Sequence, residues 1–189
     1  MTHRTLIAAA VVSTLAACAG TSPMSSPMAM PMYSQAALPD AVKVPAGHAV
    51  AMETVGVGEI TYECKAKAAM GTTAGEYEWV FVGPKAVLNN RSGKMVGSYY
   101  GPPATWEAAD GSKITGTQLA VAPSSAGNIP LQLVKANPAM GMGAMSGISH
   151  IQRVATRGGV APAMPCAAAN MGQKQVVAYQ SDYIFYKAM

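Results

Sequence analysis

A chain of 189 residues, half of them hydrophobic, is long enough to bury one core. Charged residues make up only 12% and there are 19 Gly and 13 Pro, which argues for many turns and against long, salt-bridged surface helices. The formal net charge of +4 is mild, Arg4 contributes to it within a removable leader, and the remaining Lys and Arg are scattered, so a nucleic-acid footprint is excluded.

Residues 1–17 read as a secretory signal peptide. His3 and Arg4 precede the apolar run Leu6 to Leu15, and small residues Ala16 and Ala17 follow. The run falls short of the roughly 20 apolar residues of a membrane span. Leu15-Ala16-Ala17-Cys18 also resembles a bacterial lipobox, in which the Cys18 thiol is diacylated and becomes the mature N-terminus. Ordinary cleavage after the Ala pair is the competing reading. Ala19 after the cysteine resembles lipoproteins sent on to an outer membrane. The expectation is a cell-envelope protein held to a membrane by its N-terminal lipid. Residues 18–37 carry Pro, Ser, Ala and Met without charge or period and read as a flexible tether to a β domain over residues 38–189.

Removing Cys18 to lipid leaves Cys64 and Cys166, an even pair in an oxidising compartment, and they are expected to form one disulfide. In the chain-entropy model a loop of about 100 residues makes such a bridge worth roughly 4 to 5 kcal/mol. A metal site built on the two thiolates would need nearby Cys or His partners that the spacing does not offer.

Along the domain, Pro39 and Pro45-Ala46-Gly47 punctuate the start, and His48 to Met52 reads as a first strand. In Gly58 to Cys64, Ile60, Tyr62 and Cys64 alternate with Glu59, Thr61 and Glu63, giving one apolar face. Glu76 to Val82 places Tyr77, Trp79 and Phe81 on one face of a strand that Gly83-Pro84 is expected to end. A loop at Asn89 to Gly93 leads to a strand over Lys94 to Tyr100. Asp110-Gly111 is the clearest turn signal: Gly takes positive φ without a Cβ clash and Asp bonds its own backbone. It predicts a hairpin between Trp106–Ala109 and Lys113–Thr115, with Thr117 to Val121 extending one arm. Ile129 to Ala136 alternates weakly, and Asn137 to Gly147 reads as a Met- and Gly-rich loop. Ile148 to Val154 mixes polar and apolar residues on both faces; Cys166 to Met171 suits one helical turn; Val176, Ala178 and Tyr183 to Tyr186 read as closing strands. Short strands with frequent turns and no long helical period give an all-β class, a single-domain antiparallel β-sandwich or barrel with one disulfide.

For chemistry, Glu107 and Asp110 beside Trp106 could form an acid/base pair, and His150 is a further candidate for a hydrolase-like site. Against this, Asp110 suits the turn and Glu107 an exposed strand position, and neither a Gly-x-Ser-x-Gly elbow nor a His-Glu-x-x-His motif is present. His150, Gln152 and Val154 share one strand face and Arg153 points the opposite way. Arg153 between apolar neighbours needs a carboxylate, with Asp110 or Asp182 as possible partners, or else binds an anion in an open cleft; Trp106 is the other candidate for ligand binding. Of the 14 methionines, seven fall in two groups: Met24, Met28, Met30 and Met32, then Met140, Met142 and Met145. Their thioethers suit Cu(I), which makes a periplasmic Cu(I)-binding protein an alternative; the simpler account is apolar filler. The motifs favour a lipid-anchored envelope domain that binds a small molecule or protein, or scaffolds, without catalysing and without a cofactor.

Several segments together resemble family 3455, a bacterial and fungal family of secreted domains of unknown function. They are Leu38-Pro39 with Val44-Pro45-Ala46-Gly47, Tyr62-Glu63-Cys64, Trp79, Gly101-Pro102 with Trp106-Glu107 and Asp110-Gly111-Ser112, Ile129-Pro130, Ile151-Gln152-Arg153-Val154 with Thr156 and Gly158-Gly159, Cys166, and Asp182-Tyr183 with Phe185-Tyr186. The resemblance implies one secreted domain over most of Leu38 to Tyr186 and no reaction. This chain departs at Tyr99, where the family usually has His before the aromatic that precedes Gly-Pro. Some fungal members carry a malate dehydrogenase label. Gly141-Met142-Gly143 here lacks the following helix and acidic ribose partner that dinucleotide binding needs.

Overall fold

Alternation of apolar and polar residues is realised as eight antiparallel strands: β1 (His48–Ala66), β2 (Tyr77–Asn89), β3 (Met95–Tyr100), β4 (Thr105–Ala108), β5 (Lys113–Ala122), β6 (Leu131–Ala136), β7 (Ile148–Gly158) and β8 (Lys174–Ala188). Each pairs with its successor in sequence, and β8 returns to pair with β1, so the sheet closes into a barrel and none of the described strands is left as a free edge. The computed structural model describes residues 33–67 and 76–189. Cys18 and Met24, Met28, Met30 and Met32 lie outside the described residues.

Strands run longer than the local signals suggest. His48 to Met52 and Gly58 to Cys64 belong to one strand, and β2 continues through Gly83-Pro84. The reason is a bulge: Thr61 faces Gly83 while Tyr62 faces Phe81, so Val82 has no partner, and the proline sits beside this irregularity where a missing N–H is tolerated. The Asp110-Gly111 hairpin forms as expected between β4 and β5, with Gly111 at φ +85°. A single 3₁₀ turn, Ala168–Asn170, stands where the short helical turn was expected.

One face of the strands fills the barrel with Ile60, Leu88, Trp106, Ile114, Ile151 and Phe185, all nearly sealed from solvent. Outside, a second apolar layer joins Leu133, Val154, Ile184 and Tyr186 to Val42 and Val44 of the incoming chain. That strap explains the mixed pattern of β7, because both of its faces are covered. Gln152 is buried beneath the strap and fully engaged: its Nε2 donates to Val42 O at 2.6 Å and Gln35 Oε1 at 2.9 Å, while Oε1 accepts from Tyr186 Oη at 2.8 Å. The compact unit accordingly begins at Tyr33, and residues 33–37, expected as the end of a flexible tether, pack on the barrel: Tyr33 and Leu38 contact the outer layer and Gln35 holds Val44 at both its N–H and its carbonyl.

The two barrel ends differ. The β4–β5 turn and the loop between β6 and β7 cap one end, where Met145, 1% exposed, plugs the interior. At the other end lie the β3–β4, β5–β6 and β7–β8 connections, tied to β1 by the Cys64–Cys166 disulfide with a sequence separation of 102.

Candidate functional site: the open mouth of the barrel

The residues singled out for catalysis do not converge. Glu107 lies on the outer face of β4, accepts from Tyr100 Oη at 2.6 Å and has Lys113 Nζ at 3.6 Å. The Tyr100 bond, with help from Lys113, holds its carboxyl below the usual range. Asp110 has a different set of partners: Ser112 Oγ at 2.6 Å, Ser112 N at 2.9 Å and Ala144 N at 2.8 Å. These bonds, the Ser112 hydroxyl foremost, lower its pKa as well and assign it to clamping the β6–β7 loop onto the hairpin. His150 meets His48 edge to face with ring centroids 4.6 Å apart. Burial, then His48 and Lys135, push its pKa down. The second methionine group divides, with Met142 89% exposed and Met145 in the core. Among the described residues no three His, Cys, Asp or Glu side chains are grouped to hold a metal ion.

Arg153 is the exception. Neither expected carboxylate pairs with it: Asp110 is held as above, and Asp182 binds Arg91 Nη1 at 2.6 Å. The reason is the closure of the sheet, which turns Asp182 outward beside the β2–β3 turn and Arg153 inward. Among the described residues no carboxylate lies within salt-bridge distance of Arg153. Its Nε and Nη2 instead donate to the single carbonyl of Pro130, at 3.2 and 3.0 Å.

Around it, at the open mouth, is a cavity of about 310 Å³. Phe81, Pro84, Pro102 and Val134 give it apolar walls, Tyr99 and Trp106 contribute aromatic surface, and Gln118, Gln132 and Arg153 are the polar lining. Among the described lining residues, Arg153 alone is charged. Tyr99 and Trp106 stack at 4.7 Å, and Tyr183 closes on both. Gly116 keeps the space open, since a Cβ there would collide with Val134 and touch the indole of Trp106. Trp106 is 1% exposed, yet its Nε1–H has no acceptor among the described residues. Leaving such a donor unpaired costs roughly 1–3 kcal/mol.

The Arg153 charge is felt deep in the barrel. Burial raises the pKa of Tyr62, Tyr99, Tyr179 and Tyr183, and Arg153 pulls each partly back. All four phenols therefore remain neutral near pH 7 and act as donors or packing surface, not as bases.

A larger groove, about 670 Å³, lies on the outer face of β1 to β3 beside Val57, Lys85, Val87 and Tyr100. It is shallow, and its acidic and basic residues, Glu59 and Lys85, face each other across one strand pair. Its Tyr100 hydroxyl is already committed to Glu107, and the groove is open to solvent along its length, so the mouth cavity is the better candidate. Sequence reasoning singled out Trp106 and Arg153 but missed Phe81 as a rim residue, 52% exposed, and Tyr99, Gly116, Gln118 and Gln132 as lining. The available signal was weak: Gln118 and Gln132 are polar residues at inward positions of two strands.

A family model described as a protein of unknown function (DUF3455) matches residues 45–187. No curated protein and no solved structure matches the chain.

Proposed function

The chain belongs to the DUF3455 family, and we propose that it is a non-catalytic ligand-binding domain of the cell envelope that takes a small molecule into the mouth of its barrel. The observation that carries this is the cavity at the barrel mouth, whose lining holds an arginine with no carboxylate partner among the described residues. Eight-stranded barrels are wide enough to be filled by side chains or to hold one small ligand, and mouths of barrels are common sites for one. The separate partners of Glu107, Asp110 and His150 favour binding over hydrolysis.

Gln132 lies at the rim and bonds only Gln118, so Gln132→Trp should plug the mouth without disturbing the core. A thermal-shift screen of small aromatic and aliphatic compounds should find stabilisers of the wild type that no longer act on this variant. Compounds that stabilise both proteins equally would remove the mouth as the site. The envelope part of the proposal rests on the leader and on the Leu15 to Cys18 motif. Mass spectrometry of the mature N-terminus should show acylated Cys18, and an unmodified terminus at another residue would exclude a lipid anchor.

A further inference from the structure

Donors outnumber acceptors in the mouth. A guanidinium has five N–H groups arranged in forks, and Arg153 uses the Nε–Nη2 edge on Pro130 O. Its Nη1–Nη2 edge, the other two-pronged side, has no acceptor among the described residues. The Pro130 carbonyl thus fixes the plane of the guanidinium while leaving free the edge that matches a carboxylate or phosphate. Gln132 Nε2 donates to Gln118 Oε1 at 2.6 Å, which leaves the Gln118 amide N–H groups available as well.

Charge points the same way. Among the described residues no acidic side chain lines the cavity. Three barrel carboxylates engage cations elsewhere, Glu53 and Asp182 with Arg91 and Glu107 with Lys113. A cation entering the mouth would meet an uncompensated positive charge, and a neutral ligand would leave it uncompensated. The remaining walls are apolar and include the flat surfaces of Phe81, Pro84 and Pro102, and the volume lies at the lower end of the roughly 300–1,000 Å³ typical of ligand pockets.

Resting on the reading of the mouth as a binding site, we propose that its ligand is a small, flat, apolar molecule bearing one terminal oxyanion, carboxylate or phosphate. Its oxyanion is held by the Nη1–Nη2 edge of Arg153 and its body lies between the aromatic and proline walls.

The test is calorimetric titration of the full mature protein with three probes of one shape: 2-naphthoate, 2-naphthyl phosphate and the neutral 2-naphthamide. At least one anion should bind about tenfold or more tightly than the amide, and the stronger of the two identifies the oxyanion. Arg153→Gln should erase that preference while leaving amide binding in place, and Arg153→Lys should restore only part of it, because an ammonium keeps the charge and loses the fork. Gln132→Trp should abolish binding of every probe. Equal binding of amide and anions, or a preference that survives Arg153→Gln, would overturn the oxyanion assignment and leave the mouth as a binding site. Failure of all three probes to bind wild type, or binding unaffected by Gln132→Trp, would overturn both.

Discussion

The two ends of the barrel are held by different means. At the plugged end, packing and saturated hydrogen bonds do the work: Met145 fills the interior, and one carboxylate, Asp110, joins the hairpin to the β6–β7 loop through Ser112 and Ala144. At the open end the core thins into a cavity, and the chain is secured by a covalent tie at Cys64 and by Trp79 Nε1 donating to Met164 O at 2.8 Å. Asp110 spends its carboxylate on the hairpin and the β6–β7 loop, whereas Arg153, in the lining of the cavity, bonds only one carbonyl. The acidic pair beside Trp106 is engaged by neighbours within the fold, and the residue that lacks its expected partner lies at the proposed site.

Four measurements sharpen this contrast, from the largest expected effect to the smallest. Replacing both Cys64 and Cys166 by Ala should cost about 4 kcal/mol in chemical denaturation, since the bridge closes a loop of roughly 100 residues. A cost below about 1 kcal/mol would mean that the open end does not depend on its covalent tie. Met145→Ala at the plugged end should cost roughly 2–5 kcal/mol by removing a fully buried side chain, and a negligible change would show that this end is not packed.

Acid should act on the plugged end in two windows. His150 has a folded pKa below its ordinary value, so its contribution is fully present above about pH 6.5 and shrinks as pH falls from there towards the folded value. Asp110 is also lowered; its contribution is present above about pH 3.9 and is lost as pH falls through its folded pKa. Urea midpoints measured from pH 8 to pH 3 should therefore decline in both windows, with Asp110→Asn flattening only the lower one. A lower limb that keeps its slope in Asp110→Asn would place that proton elsewhere. The smallest effect belongs to Arg153→Gln, expected to leave the stability of the unliganded protein within about 1 kcal/mol, because only bonds to one exposed carbonyl are lost. A larger loss would make Arg153 a structural residue.

Much of the fold is legible in short stretches. Ile60, Tyr62 and Cys64 show their buried face by simple alternation, and Asp110-Gly111 shows its turn, because both depend on neighbours within a few residues. Phe81 was misleading for the same reason: alternation assigns it an inward face, and only the position of the mouth leaves half of it in water while it still meets Tyr62 edge to face. β7 was illegible because its outer face is covered by a strap from more than a hundred residues earlier in the chain.

By itself the sequence determined the all-β class, the hairpin and the pairing of Cys64 with Cys166, since strand faces and turns are written at a spacing of two to four residues and a domain with two cysteines has one way to pair them. Only the tertiary structure decided between sandwich and barrel, and with it which carboxylates Arg153 could reach. Closure of β8 onto β1 fixes at once which way every side chain points, and so it sends Asp182 to Arg91 on the outside and leaves Arg153 facing a cavity within.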